Sequence, residues 1–201
     1  MATRCRIMVM APLAFGSVLV WAQVLPQHSD QRPAAYVRSP QEQLEAMERA
    51  AAVSVAKRAE LAPILALLSF RAGEYSKAES YALEALSVSG SKGSSNARGV
   101  VFGNEVLGLL ALKQGNMEIA KLRLLDSART SGSPTLRQFG PNMELAKALL
   151  ERGERDTVVE YLELCKGLWP TKEGLNSLLA WQGAIRAGAI PDFGRQLYQL
   201  F

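Results

Sequence analysis

The sequence predicts an all-α protein, a short stack of antiparallel helix-turn-helix repeats, and three observations carry that prediction. Apolar residues recur at spacings of three and four along the mature region, the mark of amphipathic helices, and no alternating strand pattern is evident. Gly73, Gly115 and Gly153 each close an apolar stretch and stand before a second amphipathic one. Small residues such as Ala78, Ala82 and Ala85 lie where two facing helices approach closely, which Leu at every position would prevent. The fullest instance of the layout runs from Ala59 to Gly90, and the rest of the chain is read against it.

Length and charge set the bounds. A chain of 201 residues fits one domain plus a leader, because a single core commonly serves about 100 to 200 residues. The formal charge of +4 includes Arg4 and Arg6 of the leader. So small a surplus, with no dense Lys/Arg block, excludes nucleic acid as an expected partner, since such binding draws on many neutralised phosphates.

Arg4 and Arg6 precede an apolar run from Ile7 to Trp21, and Val20-Trp21-Ala22 supplies small residues for a signal peptidase. Residues 1–22 therefore read as a signal peptide cut near Ala22, giving a periplasmic or secreted protein with no membrane attachment after cleavage. The alternative is retention as an anchor, for which the run falls short of the roughly 20 apolar residues that span a bilayer. Loss of Cys5 leaves Cys165 as the only cysteine of the mature chain, so no intrachain disulfide is possible. Residues 23–39 are polar, carry Pro26 and Pro33, and read as a flexible tether. His28, the only histidine, sits in that tether with no second metal ligand beside it.

The helical domain spans 40–201. Ser39-Pro40-Gln41-Glu42 forms a capping box, with Pro40 at the first helical position, where a missing N–H does no harm. Leu44, Met47, Ala51 and Val55 then fall on one face. Ala62, Leu65, Ala66, Leu68 and Phe70 mark the next helix, with Pro63 near its start and a stop at Gly73. Tyr75, Ala78, Ala82, Ala85 and Leu86 mark its antiparallel partner.

These residues resemble the tetratricopeptide repeat family, whose unit is about 34 residues. Counted from Ala59, Leu65, Ala66, Gly73, Tyr75, Ala78 and Ala85 match the motif, while Ala62, Ala82 and Gly90 depart from it. Counted from Val101, Leu107, Gly108, Gly115 and Ala120 match; Met117 and Leu124 replace aromatics, and Ser127 and Gly132 replace Ala and Pro. Counted from Phe139, Leu145, Ala146, Gly153 and Pro170 match, with Val158, Leu162 and Cys165 at the remaining inward positions. The resemblance implies a short α-solenoid of about three pairs, near 59–92, 101–134 and 139–170, between N- and C-terminal capping helices. Residues 137–195 also resemble segments of exported bacterial repeat proteins, which implies a compartment and a fold but no activity.

The copies are longer than the motif, and inserts at Ser89–Asn96 and Ser131–Pro134 account for the excess, both of turn-forming composition. Residues 171–201 form the C-terminal cap. Leu175, Leu178, Leu179 and Ile185 define a helix ending at Gly188, and Pro191 breaks the chain before a short helix carrying Phe193, Leu197 and Leu200.

Few residues point to catalysis. With one tether histidine, triads and histidine metal sites have no members, and Cys165 has no base to activate it. No phosphate-binding glycine loop follows a strand. Glu151, Glu154, Asp156, Glu160 and Glu163 take solvent-facing spacings, whereas catalytic acid pairs need burial or a cleft. Trp169 and Trp181 lie among apolar neighbours and read as core or cap fillers. No cofactor or metal is expected.

The resemblance implies a groove lined by the first helix of each repeat, taking an unidentified peptide or partner protein. Matched position by position, its lining is Phe70 and Arg71, then Glu105, Leu109, Leu112 and Lys113, then Met143, Lys147, Leu150 and Glu151. Apolar centres with Arg and Lys at the margins suit a mixed apolar and acidic peptide. Ile64, Val106 and Glu144 replace the pattern by which some members clamp a free C-terminus, so such capture is not expected. The leading expectation is a non-enzymatic interaction scaffold of the bacterial cell envelope. The alternative is an enzyme or accessory subunit of envelope polymer metabolism, which requires an acid buried beside a pocket.

Overall fold

The structure, a computed structural model, describes residues 39–88 and 95–197. The expected signal peptide, nearly all of the tether, most of the first insert, Leu200 and Phe201 lie outside the described residues. Among those described there are nine α-helices, one short 3-10 turn and no strand. The helices are α1 (Pro40–Ala51), α2 (Val55–Arg71), α3 (Tyr75–Val88), α4 (Ser95–Lys113), α5 (Met117–Ser127), α6 (Pro134–Phe139), α7 (Glu144–Leu150), α8 (Arg155–Leu168) and α9 (Lys172–Arg186), before the 3-10 turn Gly194–Leu197. None of them is long and apolar enough to cross a membrane.

Side-chain caps start most of these helices. The Ser39 hydroxyl accepts the Glu42 amide at 3.2 Å, and the Ser39 amide donates to the Glu42 carboxylate at 2.8 Å, so the expected capping box forms. Ser54, Asn116, Ser133 and Thr171 accept amides at the starts of α2, α5, α6 and α9 in the same way.

One corner closes α2, α4, α7 and α9. Gly73, Gly115, Gly153 and Gly188 have φ of 81°, 77°, 90° and 88°, a left-handed conformation that only glycine adopts without strain. At each, the following amide bonds back to the carbonyl five residues earlier: Glu74 to Ser69 at 2.9 Å, Asn116 to Ala111 at 2.8 Å, Glu154 to Leu149 at 3.1 Å and Ala189 to Ala184 at 3.0 Å. These are Schellman closures, which satisfy carbonyls that a helix end otherwise leaves bare. Five residues beyond the first three glycines stand Ala78, Ala120 and Val158, all fully buried, where each second helix meets its partner.

Neighbouring helices pack in sequence order from α1 to α5 and again from α7 to α9. In addition α2 lies on α4, α4 on α7, and α5 on α8. The core divides accordingly. An N-terminal cluster holds Leu44, Leu65 and Leu68, and an alanine-lined one holds Ala78, Ala82 and Phe102. The largest runs from Leu109 through Leu145, Leu162 and Trp169 to Phe193. Each fully buried Leu or Phe contributes roughly 2 kcal/mol of transfer free energy. Gly108 sets the α4–α7 approach, because a Cβ there would strike the Leu145 side chain.

Two expectations about element boundaries are corrected. Val55 does not lie on the buried face of the first helix: α1 ends at Ala51, Ser54 caps a new helix, and Val55 is 85% exposed. The Ser131–Pro134 stretch is not a plain connection either, because Ser133 and Pro134 start α6. The helical stretch from Pro134 to Leu150 is split at 140–143 into α6 and α7. Gly140 has φ of 79°, and a side chain there would meet the Trp169 ring 2.5 Å away. Pro141 disfavours helical geometry in the residue before it, which keeps α6 from running on into α7.

Candidate functional site

The end of α2 brings together the first two residues of the expected groove. Phe70 lies with its ring 5.7 Å from that of Tyr75, and the Lys113 ammonium, at the end of α4, sits 4.5 Å from the Tyr75 centroid. This is cation–π geometry, and it puts an aromatic pair and a cation side by side at one edge of the molecule. Lys147 and Glu151 pair loosely at 3.7 Å across α7.

Arg71 points the other way. Its guanidinium donates to the Glu144 carboxylate at 2.8 Å and to the Leu197 carbonyl at 3.0 Å, tying the end of α2 to the start of α7 and to the C-terminal turn. The same turn makes further bonds: the Met143 amide donates to the Gln196 carbonyl at 2.9 Å, and the Gln196 side-chain amide donates to the Phe139 carbonyl. Phe193 is 2% exposed and meets Trp181 edge-on at 5.0 Å, while the Trp181 indole N–H donates to the Asp192 carbonyl at 3.1 Å.

The ten residues expected along one open groove therefore divide. Phe70, Arg71, Lys113, Lys147 and Glu151 retain exposure. Glu105, Leu109, Leu112, Met143 and Leu150 are buried, so in this structure they form interior rather than groove lining. The close α4–α7 approach encloses the first group of these, and the C-terminal turn stands over Met143.

Glu105 is the residue whose role sequence reasoning missed. It is 3% exposed, and neither carboxylate oxygen has a hydrogen-bond partner. Burial is the main cause that pushes its pKa up to about 8, and the Glu144 charge adds to it. Arg71 and the amides of Glu144 and Leu145 pull the other way, without closing a hydrogen bond. Tyr161 stands close by, its hydroxyl donating to the Asn142 carbonyl at 3.5 Å, and burial holds its pKa well above the ordinary value. Burial likewise pushes the Cys165 thiol up to about 12, so it stays a neutral core group and no thiolate forms near neutral pH. A signal for Glu105 existed: it is the lone acid, next to Asn104, in the mostly apolar run from Val100 to Leu112.

The acids expected on outer faces are there. Glu151, Asp156, Glu160 and Glu163 are exposed and Glu154 is partly so. Trp169 is buried with its ring 6.1 Å from that of Trp181, and both take part in packing of the C-terminal helices. Among the described residues, two of the clefts lie elsewhere. One of about 190 Å³ is lined by Ala56, Ala59, Glu60, Pro63, Ala85, Val88 and Gly99. The other, about 270 Å³, is shallow and lined by Arg58, Ser76, Lys77, Ser80 and Tyr81, with Arg58 bound to Glu84 at 3.0 Å and Lys77 to Glu48 at 3.1 Å. Its cations are thus already neutralised. Among the described residues no three His, Cys, Asp or Glu side chains converge as a metal site. No family model, curated protein or solved structure matches this chain.

Proposed function

We propose that the chain is a non-enzymatic interaction scaffold of the cell envelope, a tetratricopeptide-like stack that takes a peptide or partner protein against its first helices. The pairs are α2–α3, α4–α5, and α7–α8 with α6 before it, between α1 and α9 as caps. The observation that supports this reading most is the contact of α2 with α4 and of α4 with α7, which lines up the first helices. At the edge of that row Phe70, Tyr75 and Lys113 leave an aromatic and cationic patch in reach of solvent. An apolar peptide bearing an acidic residue complements it.

Position-specific crosslinking tests the assignment. A photoreactive residue in place of Lys113 is expected to capture one defined envelope protein, and one in place of Leu83, which is 52% exposed on α3, is expected to capture none. Equal capture from both positions, or none at Lys113, sinks the reading. Arg71 is a poor probe, because its replacement also frees Glu144 and the C-terminal turn. The alternative, catalysis on an envelope polymer, needs an acid opening on a cleft. Glu105 is enclosed and lines neither of the clefts described above.

A further inference from the structure

The corner at Gly188 repeats the hydrogen bonds of the three before it, yet among the described residues no antiparallel helix follows. Pro191 breaks the chain, which turns back and lays residues 192–197 across the end of α2 and the start of α7. Its contacts are those a short turned peptide makes when it docks on helices. Phe193 is the buried anchor, the Gln196 and Leu197 carbonyls accept from the Met143 amide and the Arg71 guanidinium, and the Gln196 side chain reaches back to the Phe139 carbonyl. Two of the residues it engages, Arg71 and Met143, belong to the expected binding groove.

We propose that Asp192–Leu197 is a built-in occupant of the groove, holding the place of a partner's short turned peptide that carries an aromatic residue and a glutamine three positions on. The inference rests on the scaffold reading above. The split between α6 and α7 is what makes the site: Met143 caps α7 without a side-chain bond of its own, and its amide takes its partner from the docked segment, the Gln196 carbonyl. Being tethered, the segment competes at high effective concentration, so a free peptide binds only when the segment is weakened. The segment itself is a single 3-10 turn with Gly194 and Arg195 exposed, a small element to dislodge.

The test compares the full chain with its Phe193→Ala, Gln196→Ala double variant. Amide hydrogen exchange at Met143 is expected to rise about tenfold or more in the variant, while the Trp169 amide, bonded to Cys165, keeps its protection as the control for folding. A labelled synthetic peptide of Ile190–Leu197 is expected to bind the variant at least about tenfold more tightly than it binds the unaltered chain. Equal binding to both, or no binding to a variant whose Met143 amide has become exposed, overturns the proposal. A dimer of the unaltered chain that falls apart in the variant overturns it as well, in favour of segments exchanged between two copies. None of these readouts uses the envelope partner, so the crosslinking at Lys113 stands or falls separately.

Discussion

The first helices of the first and third pairs end at the same kind of glycine corner and begin differently. α2 runs unbroken for 17 residues from its Ser54 cap to the Gly73 corner, and even Pro63, in its middle, is absorbed and buried. In the third pair the corresponding stretch is cut into α6 and a seven-residue α7, and the chain between them needs partners from elsewhere. Asn142 accepts the Glu144 amide at 2.8 Å, Gln196 serves Met143 and Phe139, and Arg71 of α2 neutralises Glu144. A continuous helix satisfies its own backbone, whereas a broken one recruits distant segments, and that recruitment is where a binding site can arise.

The comparison can be broken most sharply at Gly140. Replacing it by Ala puts a Cβ into the Trp169 ring at a φ of 79°, and we expect a loss of about 3 kcal/mol or more in urea unfolding. A loss below about 1 kcal/mol would show that the split is not held by that contact.

Glu105→Gln sharpens the contrast through pH. The native carboxyl titrates near pH 8 and the unfolded one near its ordinary value of about 4.3, so the native state holds a proton that the unfolded state has released. Stability from this group is complete below the unfolded pKa and is lost as pH rises through the native one. The stability of the unaltered chain relative to the Gln variant should therefore fall by about 3 kcal/mol between pH 5 and pH 8. Parallel pH profiles would mean that Glu105 is not held neutral in the fold.

The smallest effect belongs to the self-sufficient helix. Ser54→Ala removes the bond to the Lys57 amide at 3.1 Å and should cost about 1 kcal/mol, leaving the Met143 amide as protected as before. Exchange that spreads from α2 to Met143 would show the two regions to be coupled more tightly than their packing implies.

Much of this was legible in the residues. The Ser39 cap, the corners at Gly73, Gly115, Gly153 and Gly188, and the burial of Ala78, Ala120 and Val158 follow from local rules that act within a few positions of the chain. The burial of the residues expected in the groove was not legible. Phe70, Arg71, Lys113, Lys147 and Glu151 keep exposure, but Leu109, Leu112 and Leu150 share one periodicity whether they line a groove or a core.

By itself, then, the sequence determined that the described chain is helical, where most of its helices turn, and which faces are apolar, because capping, glycine corners and the 3.6-residue period are short-range effects. Tertiary structure alone decided that Glu105 is enclosed, that Arg71 serves Glu144, and that the C-terminal turn lies on Met143. Arg71 lies 73 positions from Glu144 and 126 from Leu197 of that turn, and no local spacing encodes a contact at that range.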